Sequence, residues 1–396
     1  MVLPLFSYPD KLPKNYFVLQ RVVLKTLGIS FTGNESFFYR IYSILWLTSV
    51  VLSFSIVEFY EIYVYMDDMD ALVNNLSYLG TDLLAQRIGR TLDNIEKDVF
   101  APNKLRGGDL EERLIKRCIV ISNTQTCLYY LAVIVVCIFA AIGSMLKRIL
   151  HPEAPKWETP FTTFSWFETN TSPMYEMIWA YQLWWRALYA LIVSSADSLI
   201  AGVLAHISTQ CLILQNSVRN IISIAQKELK SSDINVVPPR ILAKQIKENV
   251  NYHMAIIDIA NQFEELFNVL VLIIFVATLF ILCFIMYHAS LFNPLSIRAA
   301  QDFSYVIVIC IQVFMYCYWG NQVRLESEKV AIACSQVDFV GTDVQFQKSL
   351  CLIIRRCQKP IVLTAGKFTT LSLQTYVWII RLSYSYYMVL RNYNNR

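Results

Sequence analysis

The stretch CIVISNTQTCLYYLAVIVVCIFAAIGSML, residues 118–146, holds no Asp, Glu, Lys or Arg over 29 positions. A helix needs roughly 20 predominantly apolar residues to cross a bilayer. The stretch reads as a membrane span, closed by Lys116-Arg117 on one side and Lys147-Arg148 on the other.

Outward from it, the same pattern recurs. Ile41–Val57 is free of charge and continues as a helix to about Tyr65. Ala71–Gln86 is weaker, with Asn74, Asn75 and Asp82 inside it. Polar residues in a span face the bundle interior or a wet cavity. A fourth span begins near Tyr175, is interrupted by Arg186 and Asp197, and runs on through the uncharged Ser198–Val218; a helix of that length must protrude from the bilayer. Leu266–Ile297 carries no charge over 32 positions, and Phe303–Val323 none either. Phe368–Leu390 makes the seventh span. The expected fold is all-α: a polytopic membrane protein with seven transmembrane helices.

Bulk composition agrees. The 396 residues are 56% hydrophobic and 16% charged, against about 25% charged in an ordinary soluble domain. Mean hydropathy is +0.43. Met1–Arg40, interrupted by Pro4, Pro9 and Pro13, has no signal-peptide pattern. It reads as an amphipathic lead at the membrane surface, with insertion through the first internal span.

Positive charge sets the expected orientation. The N-terminal lead and segments 87–117, 208–262 and 324–359 hold 25 Lys and Arg. The alternate loops hold Lys147, Arg148, Lys156 and Arg298. The N-terminus is therefore expected in the cytoplasm and the C-terminus outside. The loop 147–174, rich in proline and aromatics, is expected to pack over the bundle mouth. It carries the sequon Asn170-Thr-Ser172, with Asn170 a glycosylation candidate on the outer side.

This orientation is opposite to that of G-protein-coupled heptahelical receptors, and no acidic-Arg-aromatic box follows the third span. Phosphate-loop, His-Glu-x-x-His and Gly-x-Ser-x-Gly patterns are missing, so no enzyme and no catalytic residue is expected. The ten cysteines lie in spans or on the cytoplasmic side and read as reduced thiols. Cys351 and Cys357 lack partner pairs at zinc spacing. The four histidines are scattered. No metal, no cofactor and no nucleic-acid surface is expected.

The most polar span is the last. Cys351-Leu-Ile-Ile-Arg-Arg-Cys-Gln-Lys-Pro360 is a basic helix end broken at Lys359-Pro360. The helix after it contains Arg381 and runs of Ser, Thr and Tyr. Such a helix suits a packed interface or a wet pathway better than lipid.

Tyr318-Trp-Gly-Asn-Gln322, Gln358-Lys-Pro360, Leu363-Thr-Ala-Gly366, Leu371-Ser-Leu373 and Ser383-Tyr-Ser-Tyr-Tyr387 together resemble the C-terminal signature of the insect odorant receptors, over residues 316–391. Thr375-Tyr376 is also similar to the sister gustatory receptors, but Arg381-Leu382 stands where those carry a Gln-Phe pair. The resemblance implies an odorant-gated cation channel subunit that confers odorant specificity in a heterotetramer with a shared co-receptor subunit. It implies a plasma-membrane protein of the olfactory neuron dendrite. The second inside loop, about Gln215–Asn261, is short, as in a tuning subunit rather than the co-receptor. A gustatory-type receptor channel and a non-conducting membrane scaffold are the alternatives.

The same resemblance implies the division of labour along the chain. Residues 1–40 form the cytoplasmic lead and 41–323 the first six spans, with a pocket for a small volatile apolar ligand in their outer half. Residues 324–365 form a cytoplasmic helical assembly region and 366–391 a pore-lining seventh helix. Ligand-binding candidates are Asn75, Tyr78 and Leu79 on span two and Ile134, Ile138 and Ala141 on span three. Trp179, Leu183 and Tyr189 on span four and Tyr305 and Ile309 on span six complete the set. The match places Val389 at an apolar gate, with Asn392 the nearest polar neighbour. Arg355-Arg356 reads equally as a solvated face or an intersubunit pair. Arg381 could snorkel, pair across a subunit or touch the ion path.

Overall fold

A computed structural model describes residues 16–29, 36–43, 45–46, 108–150, 171–228, 237–290 and 296–394, with single residues (100, 102, 103, 106, 157, 159 and 160) between them. The first two expected spans lie almost wholly outside the described residues, as do Asn75, Tyr78, Leu79 and Asn170.

The described elements are α1 (Val18–Thr26), α2 (Asp109–Leu150), α3 (Met174–Arg219), α4 (Ile221–Glu228), α5 (Pro239–Ser290), α6 (Ile297–Ser335), α7 (Val344–Cys357), the two-residue strands β1 (Thr364–Ala365) and β2 (Thr369–Thr370), and α8 (Leu373–Asn394). Among the described residues, α2, α3, α5 and most of α6 are long and apolar enough to cross a membrane. At 1.5 Å per residue, the 46 residues of α3 reach about 69 Å, more than twice the hydrocarbon thickness. The helix projects well beyond its span, as its length in sequence required.

Local chemistry sets several helix ends. Asp109, Glu111 and Glu112 sit in the first turn of α2, and Lys147 and Arg148 in its last, both complementary to the helix dipole. Ser296 caps α6 by accepting from the Ala299 N–H at 3.1 Å, and Asp343 caps α7 through the Gln345 N–H. α7 stops at Cys357, ahead of Pro360.

α3 is the central helix. From Asp197 to Ser208 every side chain is buried. α2 and α6 pack along it, and α5 and α1 against its later turns. α1 departs from the expectation of a surface-lying lead. Phe17 and Leu24 are buried in the core, and Gln20 donates to Thr126 Oγ1 at 2.7 Å on α2. A Cβ at Gly202 would stand 2.7 Å from the Phe17 ring. The protruding half of α3 and α2 offers α1 an apolar seat that hydropathy of the lead alone does not reveal.

Residues 324–365, the expected helical assembly region, are built from two helices and the strand that follows them. The first helix is an unbroken continuation of α6 to Ser335, and the second is α7. The seventh span starts later than expected, at Leu373 rather than Phe368. Thr364 and Ala365 pair antiparallel with Thr370 and Thr369 before it. The turn between them puts Gly366 and Lys367 at φ 59 and 61°. The Gly366 N–H donates to the Asn268 carbonyl of α5 at 2.7 Å, and a Cβ there would meet Leu272 at 2.3 Å. Glycine is needed both for the left-handed backbone and for the approach to α5.

Candidate ligand pocket and last helix

Three helices meet at Asp197. It lies on α3 and is 3% exposed. Tyr129 of α2 donates its hydroxyl to Asp197 Oδ2 at 3.1 Å. Gln312 of α6 donates to the same oxygen at 2.8 Å, and the Tyr316 hydroxyl of α6 donates to Oδ1. Next to this cluster, Tyr130 and Ser195 share a hydrogen bond of 2.6 Å, and Trp319 donates to Gln125 at 2.9 Å. In sequence Asp197 was only an interruption of a span. A lone acid in an apolar run is its signal, and nothing in the run names its partners.

Toward the Met174 end of α3 lie the sequence-chosen pocket residues. Trp179 is half-buried and donates its indole N–H to Ser144 Oγ of α2 at 2.9 Å. Leu183 and Tyr305 are half-buried; Tyr189 and Ile309 are buried. On α2 the chosen residues divide between exposed and half-buried positions. Ile134 and Ile138 are about half exposed and point away from the bundle, with Leu131 and Ile142. The inward face is Tyr129, Val133 and Ala140, and Ala141 is half-buried at its border. A helix apolar on all sides gives no periodic signal for which side faces in. Tyr129, Val133, Ala201, Val308 and Met315 pack together there.

The same end carries a charged rim. Arg148 pairs with Glu176 at 2.6 Å and stacks over the rings of Trp157 (4.5 Å) and Tyr175 (4.7 Å). Trp157 thus anchors part of the loop 147–174 on the α2–α3 rim. His288 of α5 meets Asp302 of α6 at 2.8 Å.

At the other end of the bundle sits a second polar cluster. Arg106 pairs with Glu111 at 3.1 Å and lies over the Tyr252 ring at 4.1 Å. Tyr252 donates to Gln210, which bonds His206 at 2.7 Å. Burial raises the Glu111 carboxyl above its ordinary value, against the opposing pull of the Asn103 N–H and Arg106. His253, also on α5, is pushed down to about 4 by burial and by the nearby Arg356.

α8 presents two faces. Thr375, Ile379 and Ser383 are buried where it packs on α5. Gln374, Val377, Trp378, Arg381, Tyr384, Ser385, Val389 and Asn392 are exposed. Val389 and Asn392, the gate candidates, thus share the uncovered side with Arg381.

These features define a class: an all-α membrane protein with a long central helix, a buried carboxylate bonded by two neighbouring helices and a last helix whose uncovered side carries Arg381. The family model described as 7tm Odorant receptor matches residues 48–384. The chain belongs to the odorant receptor family. Among curated relatives, Putative odorant receptor 85d of Drosophila melanogaster is 29% identical over 37% of this chain and 35% of its own length. Odorant receptor Or2 of Anopheles gambiae is 28% identical over 39% of this chain and 40% of its own. The aligned part thus spans well under half of each relative. The insect olfactory receptor OR5 from Machilis hrabei, solved in complex with eugenol, superposes with a TM-score of 0.76 at 13% identity, covering 95% of this chain and 97% of that one. At that identity the likeness is one of fold.

Proposed function

We propose that the chain is the odorant-tuning subunit of a ligand-gated cation channel, assembled as a heterotetramer with a shared co-receptor subunit. The N-terminus is cytoplasmic and the C-terminus extracellular, in the plasma membrane of an olfactory neuron dendrite. The observation that carries the channel reading is the exposed side of α8. A guanidinium at Arg381, in a helix long enough to span, is costly against lipid and favoured beside water or another subunit. Family membership supports the odorant-receptor part of the reading.

The ligand is a small, mostly apolar volatile, bound between α2, α3 and α6 near the Met174 end. Trp179, Leu183, Tyr189, Tyr305 and Ile309 supply aromatic and aliphatic walls, and Val133 and Ala140 supply the α2 side. Such a ligand is held mainly by burial, about 25 cal/mol per Å² of apolar surface. Ile332, Val340, Val344 and Leu352, all exposed on the α6–α7 region, fit the subunit contacts of the assembly region. Val389 forms the apolar gate, which blocks ions by dewetting.

The deciding experiment is co-expression with a co-receptor subunit and recording of odorant-evoked cation current. Current that needs both subunits supports the reading. A chain that reaches the surface with the co-receptor and stays silent to a broad odorant panel counts against it. A gustatory-type channel would instead conduct without the co-receptor.

A further inference from the structure

A carboxylate buried in a membrane bundle is rare and usually functional. Asp197 is such a group, and among the described residues no cationic side chain forms an ion pair with it. Its donors come from two helices: Tyr129 of α2, and Gln312 and Tyr316 of α6. Gln312 and Tyr316 are one helical turn apart and share a face of α6. Phe314, two residues from each, projects from the opposite face. Its ring meets that of Tyr376, in the first turn of α8, edge-on at 5.6 Å. One turn beyond Tyr316, Gly320 presses on Leu371, two residues before α8 begins. α6 is therefore gripped by the carboxylate on one face and bears on the root of α8 through Phe314 on the opposite face and, a turn beyond Tyr316, through Gly320.

We propose that Asp197 is a positioning residue for gating: its bonds to Gln312 and Tyr316 set the height and rotation of α6 against α3, and through Phe314 the placement of the first turns of α8. The inference rests on the channel reading above and adds the route by which α3 and α6, which carry pocket residues, reach the pore helix. A carboxylate held between two donors one turn apart can keep one while it releases the other. That gives α6 two defined arrangements, as a coupling element requires. An ionised acceptor makes these bonds about twice as strong as neutral ones, which is a reason for Asp in place of Asn.

The test uses the full chain with a co-receptor subunit. Asp197→Asn keeps the shape and removes the charge. Tyr130→Phe is the control, because the Tyr130–Ser195 bond of 2.6 Å joins the same α2 and α3 without touching α6. Asp197→Asn is expected to shift the half-maximal concentration of every odorant in one direction, by about 3- to 30-fold. Basal current should change with it, while the rank order of odorants and the surface level stay put. Tyr130→Phe should move none of these. Wild-type sensitivity and basal current in Asp197→Asn would overturn the proposal. So would a reordered odorant preference, which would make Asp197 a ligand contact. If Asp197→Asn fails to reach the surface, Gln312→Leu and Tyr316→Phe carry the same expectation with smaller shifts in the same direction. If the wild type gives no odorant current, the channel reading falls by itself. Hydrogen exchange on the purified chain then decides the mechanical link: faster exchange at residues 373–380 in Asp197→Asn supports it, and unchanged exchange overturns it.

Discussion

Gly320 of α6 lies so close to Leu371 that a Cβ on the glycine would stand 2.4 Å from the Leu371 Cβ and 2.9 Å from its carbonyl oxygen. The Tyr-Trp-Gly-Asn-Gln motif and the Leu-Ser-Leu motif are thus two halves of one contact. Even alanine forces backbone to move there. Gly320→Ala is expected to cost roughly 1–3 kcal/mol, as overpacked sites do, and Gly320→Val more. Thermal unfolding in detergent and surface expression measure this, with Gly341→Ala as a comparison. Gly341 has open space around it and would lose only through its positive φ.

The two faces of α2 make opposite predictions. Val133→Ala, on the inward face, and Leu183→Ala and Tyr189→Phe on α3 are expected to reorder odorant preferences. Ile134→Ala and Ile138→Ala, on the outward face, should leave the order as it is. Dose–response curves across a shape-varied odorant panel read the difference. Reordering by Ile134→Ala with none by Val133→Ala would restore the face chosen from sequence.

Val389 is 66% exposed on the uncovered side of α8. If that side lines the pore, Val389→Ala widens an apolar constriction and raises basal current or relaxes ion selectivity in assembled channels. Currents and reversal potentials identical to wild type would place Val389 against lipid.

Arg148 holds the rim through one ion pair and two ring contacts. A flat guanidinium stacks on aromatic faces in a way that an ammonium does not. Arg148→Lys is therefore expected to recover only part of the thermal stability lost in Arg148→Ala, although it restores the charge. Full rescue by lysine would show that the ion pair alone matters.

His253 provides a pH dependence. Its folded value is lowered to about 4 from an ordinary 6.5. Above 6.5 it is neutral in both folded and unfolded chains. Between 6.5 and about 4 only the unfolded chain takes up the proton, so stability falls as pH falls through that window and levels off below it. The full loss is at most roughly 3 kcal/mol. Melting temperatures at about pH 7.5 and about pH 5 should converge in His253→Gln relative to wild type.

Much of this architecture was legible as a count of charges. Residues 118–146 read as a bilayer span because they are mostly apolar and hold no charged side chain over a length greater than a crossing needs. Asp197 and Pro360 stood out as exceptions, and the ordered tail motifs marked the family. What those motifs do was not legible. Gly366 follows from a turn docked on Leu272, and Gly320 from a contact 51 residues further along the chain. The seating of α1 against α3 was hidden because a half-apolar lead reads the same whether it covers lipid or protein.

The sequence by itself determined that the chain is helical, membrane-spanning and of the odorant receptor family, because hydropathy and motif spacing are properties of the chain in order. Only the tertiary structure decided which side of α2 faces inward, what satisfies Asp197 and which side of α8 is left uncovered. The physical reason is the same in each case. In an apolar helix every side is equally suited to lipid, so packing partners brought from distant positions choose the face, and hydrogen-bond donors from two other helices make a buried carboxylate tolerable.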